Sequence, residues 1–359
     1  MSSSSADASS LGPVLVIGTG LIGGSIGLAL RRAGVDVLLE DLDASSLTSA
    51  EAMGAGRVSD AIPDLVVVAV PPSAAAGVMI EAANRFPLAT ITDVTSVKAP
   101  IVDQVRAAGI DTLRIVGGHP MAGRETMGVN SARSDLFDDR MWIVTPSTNS
   151  DSVHVKRVRD LALTCGAYPL EMTPQDHDSA VALISHVPQV LASALAGQLQ
   201  VAPEEHVVIA GQGLRDMTRI ASSDSALWAD ILTTNSENVR LVLSGVITSL
   251  QGLHDDLGTE ESPDAVLNFL ELGGVGRSRI PGKHGAANHD FSQILVQIAD
   301  KPGELARLFT AVGDVDVNLE DVRIEHVLGK PSGIVGLYVA AQSAPVLTLG
   351  LIDKGFDVR

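Results

Sequence analysis

The stretch PVLVIGTGLIGGSIGLALRRAG, residues 13–34, decides the fold of the first half of the chain. A short apolar run leads into a glycine cluster, and apolar residues at helical spacing follow it. Gly18, Gly20 and Gly23 have the G-x-G-x-x-G spacing. In this pattern the first glycine allows a tight turn, the second lets the backbone approach a pyrophosphate, and the third permits close helix packing. The stretch therefore predicts a strand-turn-helix unit that binds a dinucleotide at the helix N-terminus.

An acidic residue after the next strand indicates which dinucleotide is bound. Asp41 lies 23 positions after Gly18, close to the spacing of about 20 residues expected for a carboxylate that binds the ribose. Glu40 and Asp43 are near enough to be alternatives. Because a carboxylate disfavours a 2′-phosphate, we predict NAD in preference to NADP. The predicted cofactor-binding residues are Gly18, Gly20, Leu21, Ile22, Gly23, Asp41, Val70 and Pro71.

Strand and helix patterns alternate up to about residue 171. The runs LVVVAVPPS at 65–73, ATITDVTSVK at 89–98 and MWIVTPS at 141–147 predict further strands, and a helix is predicted around residues 153–163. The first run is continuously apolar, as expected of a parallel strand buried on both faces. This alternation predicts an α/β fold, a Rossmann-type doubly wound parallel sheet.

The segment IVGGHPMAGRETMG, residues 115–128, carries the candidate for acid–base chemistry. It places a Gly-Gly turn and then His119, held by a proline, at the end of a predicted strand. A histidine exchanges a proton near neutral pH and can act as a general base; the alternative is a loop histidine with no role. Ser96 is either a helix N-cap or a hydroxyl beside the nicotinamide. Lys98 is predicted to be a surface charge.

The second half of the chain reads as packed helices followed by a small mixed domain. Apolar residues at three- and four-residue spacing predict helices after residue 173. Among them, Arg215 and Arg219 are expected one turn apart on one face, as a clamp for a carboxylate or phosphate or as partners of Asp216 and Asp224. Residues 273–285 predict a linker, and a βαββαβ order follows. We predict a tail at 1–11 and domains at 12–172, 173–282 and 290–359.

The charge and cysteine content limit the class of protein. The net charge is -18 and the pI about 4.8, which disfavours broad attraction for nucleic acid or anionic lipid. The single cysteine, Cys165, allows no intrachain disulfide and is predicted to be inert packing. The N-terminus does not resemble a signal peptide, and no apolar run reaches the length of about 18 residues expected of a membrane span. We predict a soluble, cytoplasmic protein with a disordered N-terminal tail and no metal ligands.

Five motifs in order along the chain resemble those of the bacterial prephenate/arogenate dehydrogenases of tyrosine biosynthesis. They are GTGLIGGS at 18–25, DVTSVK at 93–98, HPMAGRETMG at 119–128, DHDSAVALISHVPQ at 176–189 and GLRDMTRIASSDSALW at 213–228. The segment from Phe291 resembles an ACT domain, a ferredoxin-like βαββαβ regulatory module that often binds amino acids. The resemblance implies an NAD-dependent oxidative decarboxylation of prephenate and a homodimer built from the helical domain.

The resemblance also implies roles for single residues. His119 would accept the proton of the substrate hydroxyl, Ser96 would orient it, and Arg219 would hold a substrate carboxylate. Ser185 and His177 would line the same pocket, while Trp228 would reach across the dimer interface. In the ACT-like segment, an amino acid, most plausibly tyrosine, would bind near the turn at 300–303; the alternative is a tail that only aids dimer contacts. The residues of this effector site are Asp300, Gly303 and Asn318.

Two departures from the family pattern leave the substrate open. Gln189 stands where many members have a histidine that is thought to contact substrate, and a glutamine cannot carry charge. Arg124 could serve the pyruvyl carboxylate of prephenate, whereas Glu125 could favour the amine of arogenate. Prephenate is the preferred prediction and arogenate the alternative.

Three further interpretations remain open. A reductase or hydroxyacid dehydrogenase of the same plan would depend on Lys98 as its base. A non-catalytic NAD or amino-acid sensor would explain the glycine pattern but not His119. The basic residues Arg277, Arg279 and Lys283 form either a rim near the active site or a plain linker.

Overall fold

The computed structural model describes residues 8–123, 128–260, 262–280, 291–326 and 332–359. The chain divides into two compact units, Met1–Thr248 and Ser249–Arg359. Residues 8–11 were expected within the disordered tail but form a short 3-10 helix, Ala8–Leu11. The side chain of Leu11 is completely buried in the core of the first unit, since it is apolar and packs there. Residues 1–7 lie outside the described residues.

A parallel sheet begins the first unit, as predicted. Its strands are β1 (Val14–Ile17), β2 (Val37–Glu40), β3 (Leu65–Val68) and β4 (Thr90–Asp93), in the order β2-β1-β3-β4. The helices between and after them are α1 (Leu21–Arg32), α2 (Ala44–Ala52), α3 (Pro72–Arg85) and α4 (Ala99–Ala107). All four residues of β3 are buried, which confirms the interpretation of its continuous apolar run.

The prediction of an entirely parallel sheet is wrong at one strand pair. Strands β5 (Val116–Pro120), β6 (Met141–Pro146) and β7 (Tyr168–Glu171) follow, and α5 (Ser152–Thr164) lies between the last two. Strand β6 is parallel to β7 but antiparallel to β5. A parallel pair requires a crossover, usually a helix. The β5–β6 connection has, among its described residues, only the 3-10 turn Val129–Ser131, and an antiparallel pairing needs no crossover.

The two glycines before His119 lie inside β5 and do not form the predicted turn. A Cβ atom on Gly117 would lie 2.3 Å from the Thr145 Oγ1 atom, and one on Gly118 would lie 2.9 Å from the Trp142 Nε1 atom. These glycines are therefore required by close packing of neighbouring side chains. The close packing fixes the strand that carries His119.

Helices make up the rest of the first unit and continue beyond it. They are α6 (Pro174–Val181), a π-helical turn (Ala182–His186), α7 (Val187–Gln198), α8 (Glu204–Val208), α9 (Gln212–Thr218), a 3-10 turn (Arg219–Ser222), α10 (Ser225–Thr234) and α11 (Ser236–Asp256). Among the described residues, Pro174–Gln198 is the one helical stretch long and apolar enough to cross a membrane. Buried His177, Asp178 and His186 lie within it, and a single stretch of this kind also occurs in soluble proteins.

The second unit contains the predicted βαββαβ order. Helix α12 (Ser262–Ser278) precedes β8 (Phe291–Ala299), α13 (Glu304–Asp314), β9 (Asp321–His326), β10 (Ser332–Ala340), α14 (Ala344–Asp353) and β11 (Asp357–Val358). The sheet is antiparallel, in the order β11-β8-β10-β9. The linker predicted at 273–285 is wrong in its first part, which is helical up to Ser278. A glycine costs a helix only about 1 kcal/mol. Residues 281–290, including Lys283, lie outside the described residues.

Candidate active site

The carboxyl ends of β1 to β4 meet at one edge of the parallel sheet. Strand order reverses between β1 and β3, because the chain passes from β1 to β2 on one side and then to β3 on the other. A parallel bridge between Ile91 of β4 and Ile115, directly before β5, shows that β5 begins in the same direction as the strands of this sheet. The glycine loop and Ser96 therefore follow their strands at this edge, and His119 lies near the carboxyl end of β5. Ligands of open α/β sheets bind at such an edge.

The glycine loop has the geometry that a dinucleotide needs. Gly18 has a φ of 96°, and a Cβ atom there would lie 2.4 Å from the Ala69 carbonyl oxygen. A Cβ on Gly23 would lie 1.9 Å from the Gly18 carbonyl oxygen, so the helix packs closely on the turn. No heavy atom lies within 4 Å of a Cβ placed on Gly20, just before Leu21 begins α1. This open approach to a helix N-terminus fits a pyrophosphate.

Of the three candidate carboxylates, Asp41 is the one directed at the glycine loop. It accepts hydrogen bonds from the backbone N–H and the hydroxyl of Thr19. Glu40 instead pairs with Arg85 at 2.7 Å, and Asp43 caps α2 by accepting from the Ser45 N–H. The geometry therefore favours Asp41 as the ribose carboxylate, as the sequence spacing predicts.

The end of β3 forms the next part of the edge. Val70 is partly buried and Pro71 is exposed directly before α3. The backbone N–H and hydroxyl of Ser73 donate to the Asp230 Oδ2 atom at 3.1 and 2.9 Å. Since Asp230 belongs to α10, these bonds hold a helix of the helical segment against the start of α3, next to the predicted cofactor contacts.

Lys98 is a buried cation beneath the candidate base, so the prediction of a surface charge is wrong. Its side chain is 0% exposed and forms an ion pair with Asp93, which is 1% exposed. The Nζ atom also donates to the Gly118 carbonyl oxygen at 2.7 Å. Burial lowers the pKa of Lys98, while the attraction of Asp93 opposes this shift. The pair links the loop after β4 to the residue preceding His119.

The loop between Asp93 and Lys98 carries two hydroxyl residues that differ in exposure. The Thr95 hydroxyl is buried and lies within hydrogen-bond distance of two acceptors, the Asp93 carboxylate and the Val97 carbonyl oxygen, so its one O–H is held within the loop. Ser96, by contrast, is partly exposed. It is not the N-cap of α4, whose cap position is Lys98. Ser96 is therefore the more exposed of the two hydroxyl residues in this loop.

His119 ends a chain of buried hydrogen bonds. Its Nδ1 atom lies 2.8 Å from the Nε2 atom of His177, and the His177 Nδ1 atom lies 2.8 Å from the Asp178 Oδ1 atom. The Asp178 carboxylate also accepts from the backbone N–H groups of Lys98 and Ala99, each at 2.8 Å. His177 and Asp178 are 0% exposed.

His177 therefore does not occupy the position predicted for it. It was expected to line the substrate pocket, but Asp178 and His119 engage both of its ring nitrogens. The residue is completely buried, because α6 packs its polar side chains onto α4 and the end of β5. His177 contacts the candidate base and is not exposed to a substrate.

A further buried histidine, His186, is connected to this series of hydrogen bonds through Asn235. The Asn235 Nδ2 atom donates to the Asp178 carbonyl oxygen at 2.8 Å and lies 3.1 Å from the His186 Nδ1 atom. The amide nitrogen of Asn235 can only donate, so Asn235 is the donor to both groups. The ring of His186 meets the ring of Trp228 edge-on, with 6.1 Å between the centroids. The polar chain thus extends to the aromatic residue that was predicted at the dimer interface.

Burial keeps the three histidines neutral. It is the main cause that lowers the pKa of His119 well below 6.5, and the nearby His177 and Lys98 add to the shift. Burial likewise lowers the pKa of His177, although Asp178 opposes it, and lowers the pKa of His186 to about 4. A neutral His119 can accept a proton at neutral pH.

We predict that the free energy of unfolding falls as the pH is lowered from 6.5 towards 4. The unfolded chain binds protons at histidine pKa values of about 6.5, whereas folded His119, His177 and His186 bind them only at lower pH. Their stabilising contribution is fully present above pH 6.5. Below pH 6.5, each histidine lowers the free energy of unfolding by up to about 1.4 kcal/mol per pH unit, until the pH reaches its folded-state pKa.

Denaturant midpoints at pH 7, 6 and 5 measure this effect. The His186→Gln variant should show a shallower pH dependence than the unmodified chain. His254→Gln is the matched control, because the His254 side chain is 80% exposed on α11. An unmodified chain whose midpoint does not change between pH 7 and 5 would contradict the prediction.

A cavity of about 340 Å³ lies between α7 and α10. Gln189 and Trp228 line it together with the hydroxyl residues Ser193, Ser223 and Ser225. Gln189 is 4% exposed; its Nε2 atom donates to the Ile220 carbonyl oxygen at 3.0 Å, while its Oε1 atom is buried without a hydrogen-bond partner. Ser185 is partly exposed in the π-helical turn and does not line this cavity.

The two arginines of the predicted clamp lie on different helix types. Arg215 is on α9, whereas Arg219 begins the following 3-10 turn, and both side chains are exposed. The carboxylates proposed as alternative partners have other bonds: Asp224 caps α10 and Asp216 accepts from Gln212. Arg124 and Glu125 lie outside the described residues.

Comparison with known proteins assigns both halves of this site. Residues 26–170 match the family described as prephenate dehydrogenase, nucleotide-binding domain, and residues 173–271 match prephenate dehydrogenase, dimerization domain. The chain belongs to the prephenate dehydrogenase family. This confirms the resemblance carried by the five motifs. It also places His119 within the match to the nucleotide-binding domain and Gln189, Arg219 and Trp228 within the match to the dimerization domain.

Individual members of the prephenate dehydrogenase family match most of the chain. Probable prephenate dehydrogenase NovF of Streptomyces niveus is 34% identical, covering 92% of this chain and 94% of its own length. Prephenate dehydrogenase of Bacillus subtilis is 27% identical over 90% of each chain. The crystal structure of prephenate dehydrogenase from A. aeolicus in complex with hydroxyphenyl propionate and NAD+ has a TM-score of 0.67 at 30% identity, covering 74% of this chain and 97% of that one.

Three features of the site were not predicted from the sequence: Asp178, Asn235 and the buried Asp93–Lys98 pair. Asp178 stands directly beside His177 in the quoted DHDSAVALISHVPQ motif, so an acid adjacent to the predicted pocket histidine was a usable signal. Asp93 and Lys98 stand at the two ends of DVTSVK. Their opposite charges give no indication of burial by themselves. Asn235 lies outside the five motifs, and its role is visible only from its contacts with Asp178 and His186 in the folded chain.

Proposed function

We propose that this chain catalyses the NAD-dependent oxidative decarboxylation of prephenate to 4-hydroxyphenylpyruvate. The observation that carries the proposal is the neutral His119, held by His177 at the same sheet edge as an open glycine loop. Membership of the prephenate dehydrogenase family and the relatives named above support it. The enzyme would supply the hydroxyphenylpyruvate step of tyrosine biosynthesis.

The chemistry requires a hydride acceptor, a proton acceptor and an anchor for the substrate. Bound NAD supplies the hydride acceptor. His119 accepts the proton of the C4 hydroxyl as that carbon is oxidised, and the ring carboxylate leaves as CO2 when the ring becomes aromatic. Ser96 donates or accepts a hydrogen bond at the same hydroxyl. Lys98 is already committed to Asp93 and Gly118, which argues against a reductase that uses this lysine as its base.

The assay follows directly from the proposal. The full-length chain mixed with NAD and prephenate should produce NADH, measured by absorbance, together with 4-hydroxyphenylpyruvate, identified by chromatography. The same mixture with NADP should react more slowly, because Asp41 disfavours a 2′-phosphate. No NADH with either prephenate or arogenate would reject the assignment and leave a non-catalytic sensor as the alternative.

Arogenate is a second candidate substrate, favoured by one feature of the cavity. The Gln189 Nε2 atom is held by the Ile220 carbonyl, which fixes the Oε1 atom as an acceptor in need of a donor. The amine of arogenate carries N–H donors, whereas the ketone of prephenate at the same position can only accept. A buried acceptor left unpaired costs about 1–3 kcal/mol.

We predict that Gln189→His shifts substrate preference towards prephenate. A histidine can donate to the pyruvyl group, and the change restores the residue common in the family. If Gln189 contacts the side chain, the ratio of kcat/KM for prephenate to that for arogenate should rise about tenfold, the equivalent of one hydrogen bond. Ser225→Ala, which alters another residue of the same cavity, is the control. An unchanged ratio in Gln189→His would exclude this contact.

We propose that the active enzyme is a homodimer built through the helical domain. Apolar side chains there are strongly exposed in one chain, including Leu183, Ile184, Ile209 and Leu241 at 61–79%. Arg219 is also exposed, whereas a carboxylate anchor works best where water is excluded. A second chain would cover Arg219 and bring its Trp228 to the site. Light scattering after size exclusion should give about twice the mass of 37.2 kDa.

We propose a cytoplasmic enzyme whose C-terminal segment is an ACT-like regulatory domain. Its βαββαβ order and the left-handed Gly303, with a φ of 91° directly before α13, support an amino-acid site near Asp300 and Asn318. The Asn318 side chain donates to Glu320 at 3.2 Å. Calorimetry with the full chain should detect tyrosine binding. Absence of binding by tyrosine, phenylalanine and tryptophan would leave a role in dimer contacts.

A further inference from the structure

We propose that Asp178, acting through His177, sets the tautomer of His119 so that its Nε2 atom is the proton acceptor. This inference rests on the proposed function for the identity of the reaction, but not for the tautomer itself. Asp178 and His177 are positioning residues in this account. Neither touches the substrate, because both are completely buried.

The argument begins at the carboxylate, which can only accept hydrogen bonds. The Asp178 Oδ1 atom lies 2.8 Å from the His177 Nδ1 atom, so that ring nitrogen carries a proton. The carboxylate is itself held in place by the backbone N–H groups of Lys98 and Ala99. Asp178 therefore cannot rotate away without losing the bonds that begin α4.

The second step concerns the other nitrogen of His177. A neutral ring that is protonated at Nδ1 has a lone pair at Nε2. Burial and the nearby Lys98 cation keep His177 neutral by lowering its pKa. The Nε2 atom lies 2.8 Å from the His119 Nδ1 atom, so His119 must be the donor in this bond.

The third step gives the consequence for catalysis. If the His119 proton is on Nδ1, the lone pair is on Nε2. The bond to His177 is made by Nδ1, so Nε2 is the ring nitrogen that takes no part in it. The opposite tautomer would place a proton on Nε2 and block the base. As Nε2 accepts the substrate proton, the Nδ1–H bond to His177 keeps the ring oriented. The same logic governs the aspartate of the Ser-His-Asp triad, where the wrong tautomer lowers kcat by about 10⁴.

Nuclear magnetic resonance tests the tautomer without any substrate. The full-length chain is labelled with ¹⁵N-histidine, and the His119 signals among the nine histidines are assigned by their loss in His119→Asn. Long-range ¹H–¹⁵N correlations at pH 7 should show a protonated Nδ1 and an unprotonated Nε2 in His119. A protonated Nε2 in His119, or a doubly protonated His177, would overturn the proposal.

A pair of substitutions at position 177 tests the effect on turnover. His177→Gln keeps an amide oxygen near the place of the Nε2 atom, whereas His177→Leu removes the acceptor. We expect kcat to fall by about 10²-fold in His177→Leu and much less in His177→Gln, with the KM for NAD unchanged in both. Equal losses in two variants with matching melting temperatures would show a packing role and overturn the proposal. If the unmodified chain turns over neither substrate, the proposed function fails and the resonance measurement alone decides the tautomer.

Discussion

Replacement of His119 by asparagine is expected to lower kcat by about 10²–10⁴-fold, the usual contribution of a general base, while NAD still binds. In the unmodified chain, the His119 Nδ1 atom lies 2.8 Å from His177. The asparagine amide nitrogen can take the place of this Nδ1 atom and keep the hydrogen bond. The substitution removes only the Nε2 acceptor. Because the glycine loop and Asp41 are separate from this side chain, the dissociation constant for NAD should not change.

Steady-state kinetics with both candidate substrates and calorimetric titration with NAD measure the two effects. The matched control is His154→Asn. His154 is partly buried on α5 and contacts Thr90, the first residue of β4, at the opposite end of that strand from Ser96. His154→Asn should retain nearly full turnover. A His119→Asn enzyme with more than about one tenth of the original kcat would show that another group is the base.

Replacement of Lys98 by methionine is expected to destabilise the first unit by about 3–5 kcal/mol, the cost of breaking a buried ion pair by removing one partner. Methionine keeps an apolar stem of similar length but leaves the buried Asp93 carboxylate without its cation. The Gly118 carbonyl also loses its donor. As Gly118 precedes His119 in β5, turnover should fall together with stability.

Chemical denaturation followed by tryptophan fluorescence measures the change, because both Trp142 and Trp228 lie in the first unit. Arg106→Met is the matched control, because it removes one partner of the exposed Arg106–Asp103 pair and should cost less than about 1 kcal/mol. The double variant Lys98→Met/Asp93→Asn should recover part of the loss, since no unpaired buried charge remains. A Lys98→Met chain within about 1 kcal/mol of the original would show that the ion pair contributes little.

Much of the fold and of the cofactor site could be predicted because local chemistry specifies it. The glycine spacing at 18–23 is dictated by steric limits within a few residues, and the run at 65–68 is buried on both faces as its apolar composition requires. Asp41 follows the strand after the glycine loop, so its distance along the chain predicts its place. The βαββαβ order also follows from local periodicity.

The predictions that were wrong depended on contacts between distant segments. The direction of β6 against β5 depends on the connection between them, and two glycines that resemble a turn lie within a strand because Thr145 and Trp142 pack against them. Lys98 has the composition of a surface residue, and its burial depends on Asp93 and on the carbonyl of Gly118, 20 residues away.

The sequence by itself determined that the chain has a glycine loop of the dinucleotide-binding type, an acid at the spacing expected for a ribose contact and a histidine at the end of a strand, because each of these is encoded within a short segment. Only the tertiary structure decided how that histidine can act. Asp178 and His177 come 58 or more residues after His119, on a helix of the next domain. The hydrogen bonds that orient the base form only when that helix packs onto the sheet edge, since such bonds depend on distances that no local pattern encodes.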